Sequence, residues 1–195
     1  MCSIGRRPVG AVLGGLSFGG LASLHFAHRS PERVRGLILI ATGPGFKNPE
    51  AAARWTKLTE RSASLIENEG SSAFVKSRAA PSLIGLHPDL PASQAAARAI
   101  TRQDPVGLVH FQRQIAAHVP SIIDELSEID CPALVAVGEK DDAFLRAADV
   151  MTARLPRVER ETIPGAGHIV NIDESEAFNA IALRFLGKIA AETPE

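Results

Sequence analysis

Apolar positions along the chain fall into two kinds of run. Residues 9–14 (Val-Gly-Ala-Val-Leu-Gly), 34–41 (Val-Arg-Gly-Leu-Ile-Leu-Ile-Ala) and 131–138 (Cys-Pro-Ala-Leu-Val-Ala-Val-Gly) are short, nearly continuous and bounded by glycine or proline. Such runs predict strands buried on both faces of a parallel sheet, and residues 158–163 predict a fourth strand. Between them the apolar spacing changes to three and four. Leu21, Leu24, Ala27 and His28 predict a helix over 19–29, and a second is predicted over 144–155. Phe178, Ile181, Ala182, Phe185 and Leu186 put one apolar face on a last helix over 175–191.

Residues 48–127 break this alternation. Ala, Glu, Arg and Leu dominate, with helical patches at 49–68, 71–77, 92–101 and 106–118 punctuated by Pro81, Pro88, Pro91, Pro105 and Pro120. A stretch of this length is too long for one crossover helix and predicts a small helical subdomain. Strands alternating with helices on either side of it predict an α/β architecture, a parallel sheet covered on both faces. The core is expected to comprise residues 1–47 and 128–195, with 48–127 as a helical cap.

Composition narrows the function classes. At 195 residues the chain suits one domain with an insertion, and 45% hydrophobic content against 22% charged supports a packed core. Lys plus Arg total 21 and Asp plus Glu 22, so no basic surplus points to nucleic acid. Two cysteines, Cys2 and Cys131, are too few for a disulfide framework or a structural zinc site, and a reducing, cytoplasmic setting is the simplest expectation. Arg6-Arg7 followed by the apolar stretch 9–27 has the order of a targeting leader. Against that, His25, His28 and Arg29 crowd the cleavage position, and Ser30-Pro31-Glu32-Arg33 reads as a helix-to-strand connection. Glycines and the wrong flanks argue against a membrane span.

Three short segments carry chemistry. Gly15-Leu16-Ser17-Phe18-Gly19 fits Gly-x-Ser-x-Gly between a predicted strand and a predicted helix. Small residues two before and two after the serine relieve crowding in a strained turn, and the helix N-terminus, with the Phe18 N–H, is aimed at an oxyanion. Alone, the pentapeptide is equally an ordinary strand-to-helix turn. Gly138-Glu139-Lys140-Asp141-Asp142 follows the third strand, so its carboxylates reach the same sheet edge as Ser17. Asp141 suits a partner for a histidine Nδ1–H, while either aspartate could instead cap the next helix. Pro164-Gly165-Ala166-Gly167-His168 follows the last strand, its glycines leaving the ring free to swing. His25 and His28 have no third ligand at a suitable place and read as helix-face residues, so no metal is expected.

The joint order Ser…Asp…His, each after a buried strand, is far more specific than any one piece. In Gly15–Gly20, in the Ser30-Pro31-Glu32-Arg33-Val34 strand entry, in 132–141 and in 164–185, the chain resembles the α/β-hydrolase fold family. The resemblance implies Ser17 as nucleophile, Asp141 as acid, His168 as general base and Phe18 N–H as one oxyanion donor, with no cofactor. It implies a helical cap over 48–127, for which Trp55, Leu58, Phe74, Phe111 and Ile115 are pocket-lining candidates or simply the cap's own core. The implied activity is hydrolysis of a small ester, lactone or thioester through an acyl-enzyme. The Gly138–Phe144 and His168 segments also resemble the branch holding enol-lactonases and the menaquinone-pathway synthase, a lyase with the same triad.

One departure from the family is large. Several strands normally precede the nucleophile strand, and four strands with their crossovers need on the order of 80 residues. They are missing here, together with the loop that supplies the second oxyanion N–H. Three readings stand open: a C-terminal portion of a longer hydrolase, a truncated reading frame, or a sheet edge covered by another chain. Self-association through that edge and weak or no activity of the isolated chain are therefore expected, along with a small ester-like substrate and no nucleic-acid or membrane partner. The alternative to an active hydrolase is a non-catalytic fragment that pairs with another chain.

Overall fold

The computed structural model describes residues 10–192. Cys2, Arg6-Arg7 and the predicted strand start at Val9 lie outside the described residues. Four strands form one sheet: β1 (Ala11–Leu16), β2 (Val34–Ile40), β3 (Ala133–Gly138) and β4 (Val158–Ile163), in the order β1-β2-β3-β4. All three pairings are parallel, so every strand delivers its C-terminal loop to the same edge. The first strand therefore runs two residues past its expected end and carries Gly15 and Leu16 up to the turn.

Alternation along β2 splits the core between the two faces. Leu37 and Leu39 pack with Leu21 and Leu24 of α1 (Phe18–Arg29), Val135 and Val137 of β3, and Met151 of α6 (Asp142–Arg154). Ile38 and Ile40 face the other way, against Ile163, Phe185 and Ile189. The last two belong to α8 (Ser175–Ala191), whose buried face uses Ile189 where Leu186 was expected; Leu186 is exposed. Positions 178, 181, 182, 185 and 189 keep the three-and-four spacing, and Leu186 falls off that stripe.

The two edges of the sheet differ. Strand β4 (Val-Glu-Arg-Glu-Thr-Ile) carries charges that pair outward, Glu159 with Lys188, Glu161 with Arg184 and Arg160 with Asp149. Charged side chains on an edge strand discourage pairing with another chain. Strand β1 (Ala-Val-Leu-Gly-Gly-Leu) has no charge, yet Ala11 and Gly14 are exposed and the rest is only half buried. The expectation of full burial fails because, within the described residues, β2 is its single neighbour.

The helical insertion comprises α2 (Pro49–Phe74, broken at Gly70 with φ 83°), α3 (Pro81–Ile84), α4 (Pro91–Thr101) and α5 (Pro105–His110). A π-helical turn, Phe111–Ile115, and a 3-10 turn, Ala116–His118, complete it. Its own core is Ala63, Ile66, Phe74 and Val109. The insertion ends earlier than residue 127, because Ile122, Leu126 and Ile129 are buried in the main core beside α1. Entry and exit meet at one point, where Ile122 N–H donates to the Pro44 carbonyl at 2.8 Å. No helix among the described residues is long and apolar enough to cross a membrane.

Candidate active site

Ser17 stands between the last residue of β1 and the first of α1, with φ 53° and ψ −118°. A non-glycine residue held there costs on the order of 1–3 kcal/mol, so the surroundings must hold it. They do so through the backbone: Ser17 N–H donates to the Ile40 carbonyl at 2.8 Å, and its carbonyl accepts from Thr42 Oγ1 at 2.5 Å. Ala41, with φ 43°, is the other non-glycine residue with positive φ among the described residues, and it lies at the same edge.

Crowding explains two of the glycines. A Cβ on Gly15 would lie 2.2 Å from the Gly19 carbonyl carbon, and one on Gly20 would lie 2.5 Å from Thr42 Cγ2. A Cβ on Gly19 would meet nothing within 4 Å. The tight positions are thus two before and three after the serine, a correction to the expected pair. Thr42 begins the breaker cluster Thr42-Gly43-Pro44-Gly45 that ends the second apolar run, and its role as a clamp on the turn depends on β1 and β2 being neighbours. Phe18, as the first residue of α1, has an N–H with no intrahelical acceptor.

Asp141 and His168 come together. Asp141 Oδ2 lies 2.8 Å from His168 Nδ1, with the two side chains only 7% and 9% exposed. Asp141 occupies the N-cap position of α6 but makes no capping hydrogen bond, so its carboxylate serves the histidine. Its neighbour Asp142 begins the helix. The two loops are laced along their backbones: Glu139 N–H donates to the Ile163 carbonyl at 3.0 Å and Lys140 N–H to the Ala166 carbonyl at 2.9 Å. Glu139 Oε2 also accepts from Gly165 N–H at 3.1 Å. Phe144, on the first turn of α6, packs its ring 4.8 Å from the His168 ring. Ser17 lies at the same sheet edge, two strands from β3.

The helical insertion reaches the Ser17 turn through Phe111, whose ring meets that of Phe18 edge-on at 5.1 Å and 83°. Trp55 donates from Nε1 to the Ala116 carbonyl at 2.7 Å and stacks obliquely on Phe46. Leu58 and Ile115 are exposed, whereas Phe74 is buried in the cap's own core. Arg113, on the π-helical turn, bridges Glu60 and Glu67 of α2, each at 2.8 Å from Nη2. Its hydrogen bonds hold both carboxyls below the ordinary carboxylate range, and they in turn raise the Arg113 guanidinium. Burial pushes the Cys131 thiol up, away from reactive thiolate character. Cys131 lines a cavity of about 420 Å³ with Val34, Arg35 and Arg157, at the opposite, N-terminal ends of the strands.

Residues 1–181 match the sequence model of the Alpha/beta hydrolase family. The chain belongs to that family. A Bacillus subtilis (strain 168) protein assigned as a 2-succinyl-6-hydroxy-2,4-cyclohexadiene-1-carboxylate synthase is 29% identical over 90% of this alpha/beta hydrolase chain. A carbamate hydrolase assignment, RutD of Rhizobium rhizogenes (strain K84 / ATCC BAA-868), is 33% identical over 88% of it. The chain spans 65% of the length of each of these two relatives. Among solved structures, MenH from S. aureus superposes with a TM-score of 0.83 at 24% identity, covering 93% of this chain and 69% of that one. A thermophilic esterase from Thermogutta terrifontis gives 0.77 at 27% identity, covering 93% and 66%. At such identities the likeness to MenH speaks for the fold.

Proposed function

We propose that the chain carries the nucleophile, acid and base of a serine hydrolase acting on a small ester, lactone or thioester. The observation that carries this reading is the buried Asp141–His168 contact of 2.8 Å on the sheet edge that also holds the strained Ser17 turn. A carboxylate can only accept from Nδ1–H, which leaves the His168 Nε2 lone pair free to take a proton. In the proposed cycle Ser17 Oγ attacks the substrate carbonyl carbon and its proton passes to His168 Nε2. The oxyanion is held by Phe18 N–H, the imidazolium by Asp141. Collapse expels the alcohol or thiol, which takes the proton from Nε2, and water then releases the acid by the same route. Phe111 and Trp55 of the cap would border the acyl or alcohol pocket.

Intact mass after treatment with a fluorophosphonate tests the assignment. The wild-type chain is expected to gain one phosphonyl group, and Asp142→Asn is expected to gain it equally, because Asp142 only opens α6. A folded wild-type chain that takes up no label would sink the proposal.

A lyase reaction through the same triad is a second reading, favoured by the Bacillus subtilis relative's assignment as a synthase. There His168 would remove a carbon-bound proton, and the chain would label with fluorophosphonate without turning over esters.

The apolar, half-exposed β1 edge bears on how the isolated chain behaves in solution. Unpaired N–H and C=O groups on such a strand invite pairing. The 195-residue chain is expected to self-associate through this edge. A monodisperse monomer in sedimentation would contradict this.

A further inference from the structure

The short helix α7 (Val170–Asp173) follows directly on His168, and its last residue, Asp173, is 8% exposed. Both oxygens of this buried carboxylate accept backbone hydrogen bonds. Oδ2 accepts from Gly167 N–H at 2.9 Å, and Oδ1 accepts from Leu86 N–H at 2.6 Å. Gly167 is the residue immediately before His168, whereas Leu86 lies in the cap, just after α3. The junction is close-packed from both sides. A Cβ on Gly85, which has φ +95°, would lie 2.6 Å from Asp173 Oδ1. A Cβ on Gly167 would lie 3.1 Å from Leu86 Cγ and 3.2 Å from Asp173 Oδ2.

The chemistry of the group explains the residue type. Two backbone N–H donors, one from each side, need an acceptor on each oxygen, and a carboxylate supplies both. An amide would turn an NH2 toward one of the two donors and leave that N–H buried without an acceptor. The carboxylate thus ties the loop that aims the histidine ring to the segment that sets the height of the cap at Leu86. A displacement of either segment is passed to the other through one rigid side chain rather than through a flexible linker.

We infer that Asp173 is a positioning residue that couples the cap to the His168 loop, so that seating of the cap sets the orientation of the imidazole. It touches no reacting atom. The inference rests on His168 being the base in the proposed reaction.

The test reads the ring directly. In long-range ¹H–¹⁵N spectra of the full chain, Asp173→Asn is expected to shift the ring-nitrogen resonances of His168, and to slow phosphonylation by ~10- to 10²-fold, the scale of a small misplacement. Gly85→Ala, made in the cap and retaining the carboxylate, is expected to shift the same resonances. Phe74→Leu, which loosens the cap core without touching Asp173, should lower the melting temperature and leave them in place. Should Asp173→Asn fail to fold, Gly85→Ala carries the test. Folded variants with wild-type His168 signals would overturn the inference, as would unfolding of both while Phe74→Leu stays folded, which would mark a purely structural role. A wild-type chain that takes up no phosphonyl group defeats the proposed reaction, while the ring resonances still decide the coupling.

Discussion

Replacing Ser17 with alanine is expected to abolish phosphonylation and to remove the nucleophile-dependent part of any ester turnover. The loss should be chemical and not structural. None of the hydrogen bonds that hold Ser17 uses its hydroxyl: the turn is fixed by the N–H to the Ile40 carbonyl and by the Ser17 carbonyl accepting from Thr42. Alanine has the same backbone restriction at φ 53°, so its melting temperature should stay close to wild type. Ser17→Gly sharpens the prediction. It removes the same nucleophile but also relieves the positive φ, and should raise stability by ~1 kcal/mol. Labelling of Ser17→Ala at another residue would show that the nucleophile lies elsewhere. A Ser17→Gly variant less stable than Ser17→Ala would show that the turn is unstrained.

Gly138→Ala is expected to cost about 2–4 kcal/mol in stability and to slow labelling as well, because the obstacle is main chain. The added Cβ would sit 2.2 Å from the Gly167 carbonyl oxygen and 2.4 Å from that of Ala166. A flexible side chain could swing aside, but this loop is tied down by Lys140 N–H on Ala166, by Gly165 N–H on Glu139, and by Gly167 N–H on Asp173. Making room means breaking at least one of these bonds and drawing His168 away from Asp141. Gly19→Ala is the matched control. Nothing lies within 4 Å of its Cβ, and alanine is the better helix former at an early position of α1, so stability should hold or rise by up to ~1 kcal/mol. Urea titrations of the two variants decide the matter; similar midpoints would mean that the His168 loop yields more easily than its hydrogen bonds indicate.

Much of this molecule was legible before folding was considered. Apolar runs located β2 and β3 to within a residue or two, since a strand covered on both faces has nowhere to place polar groups, and β4 lies at its expected residues although it is a charged edge strand. Asp141 and His168 could be placed at one sheet edge because both follow strands, and a parallel sheet sends all those loops to one edge. Local periodicity does not extend to pairings across the chain. It read β1 as a buried strand, whereas its burial depends on how many strands flank it. It ran the cap to residue 127, although Ile122 and Leu126 are claimed by the main core, and chose Leu186 over Ile189 on α8. The roles of Thr42, Glu139 and Asp173 carried no signal in the sequence. Each acts by meeting a backbone group that only the path of the chain brings near: Ser17, Gly165, and the pair Gly167 and Leu86. Residue types and their spacing thus determined which strands form and which groups could do chemistry. The tertiary structure alone decided which backbone N–H and C=O groups each polar side chain satisfies, because buried donors and acceptors must find partners wherever the fold puts them.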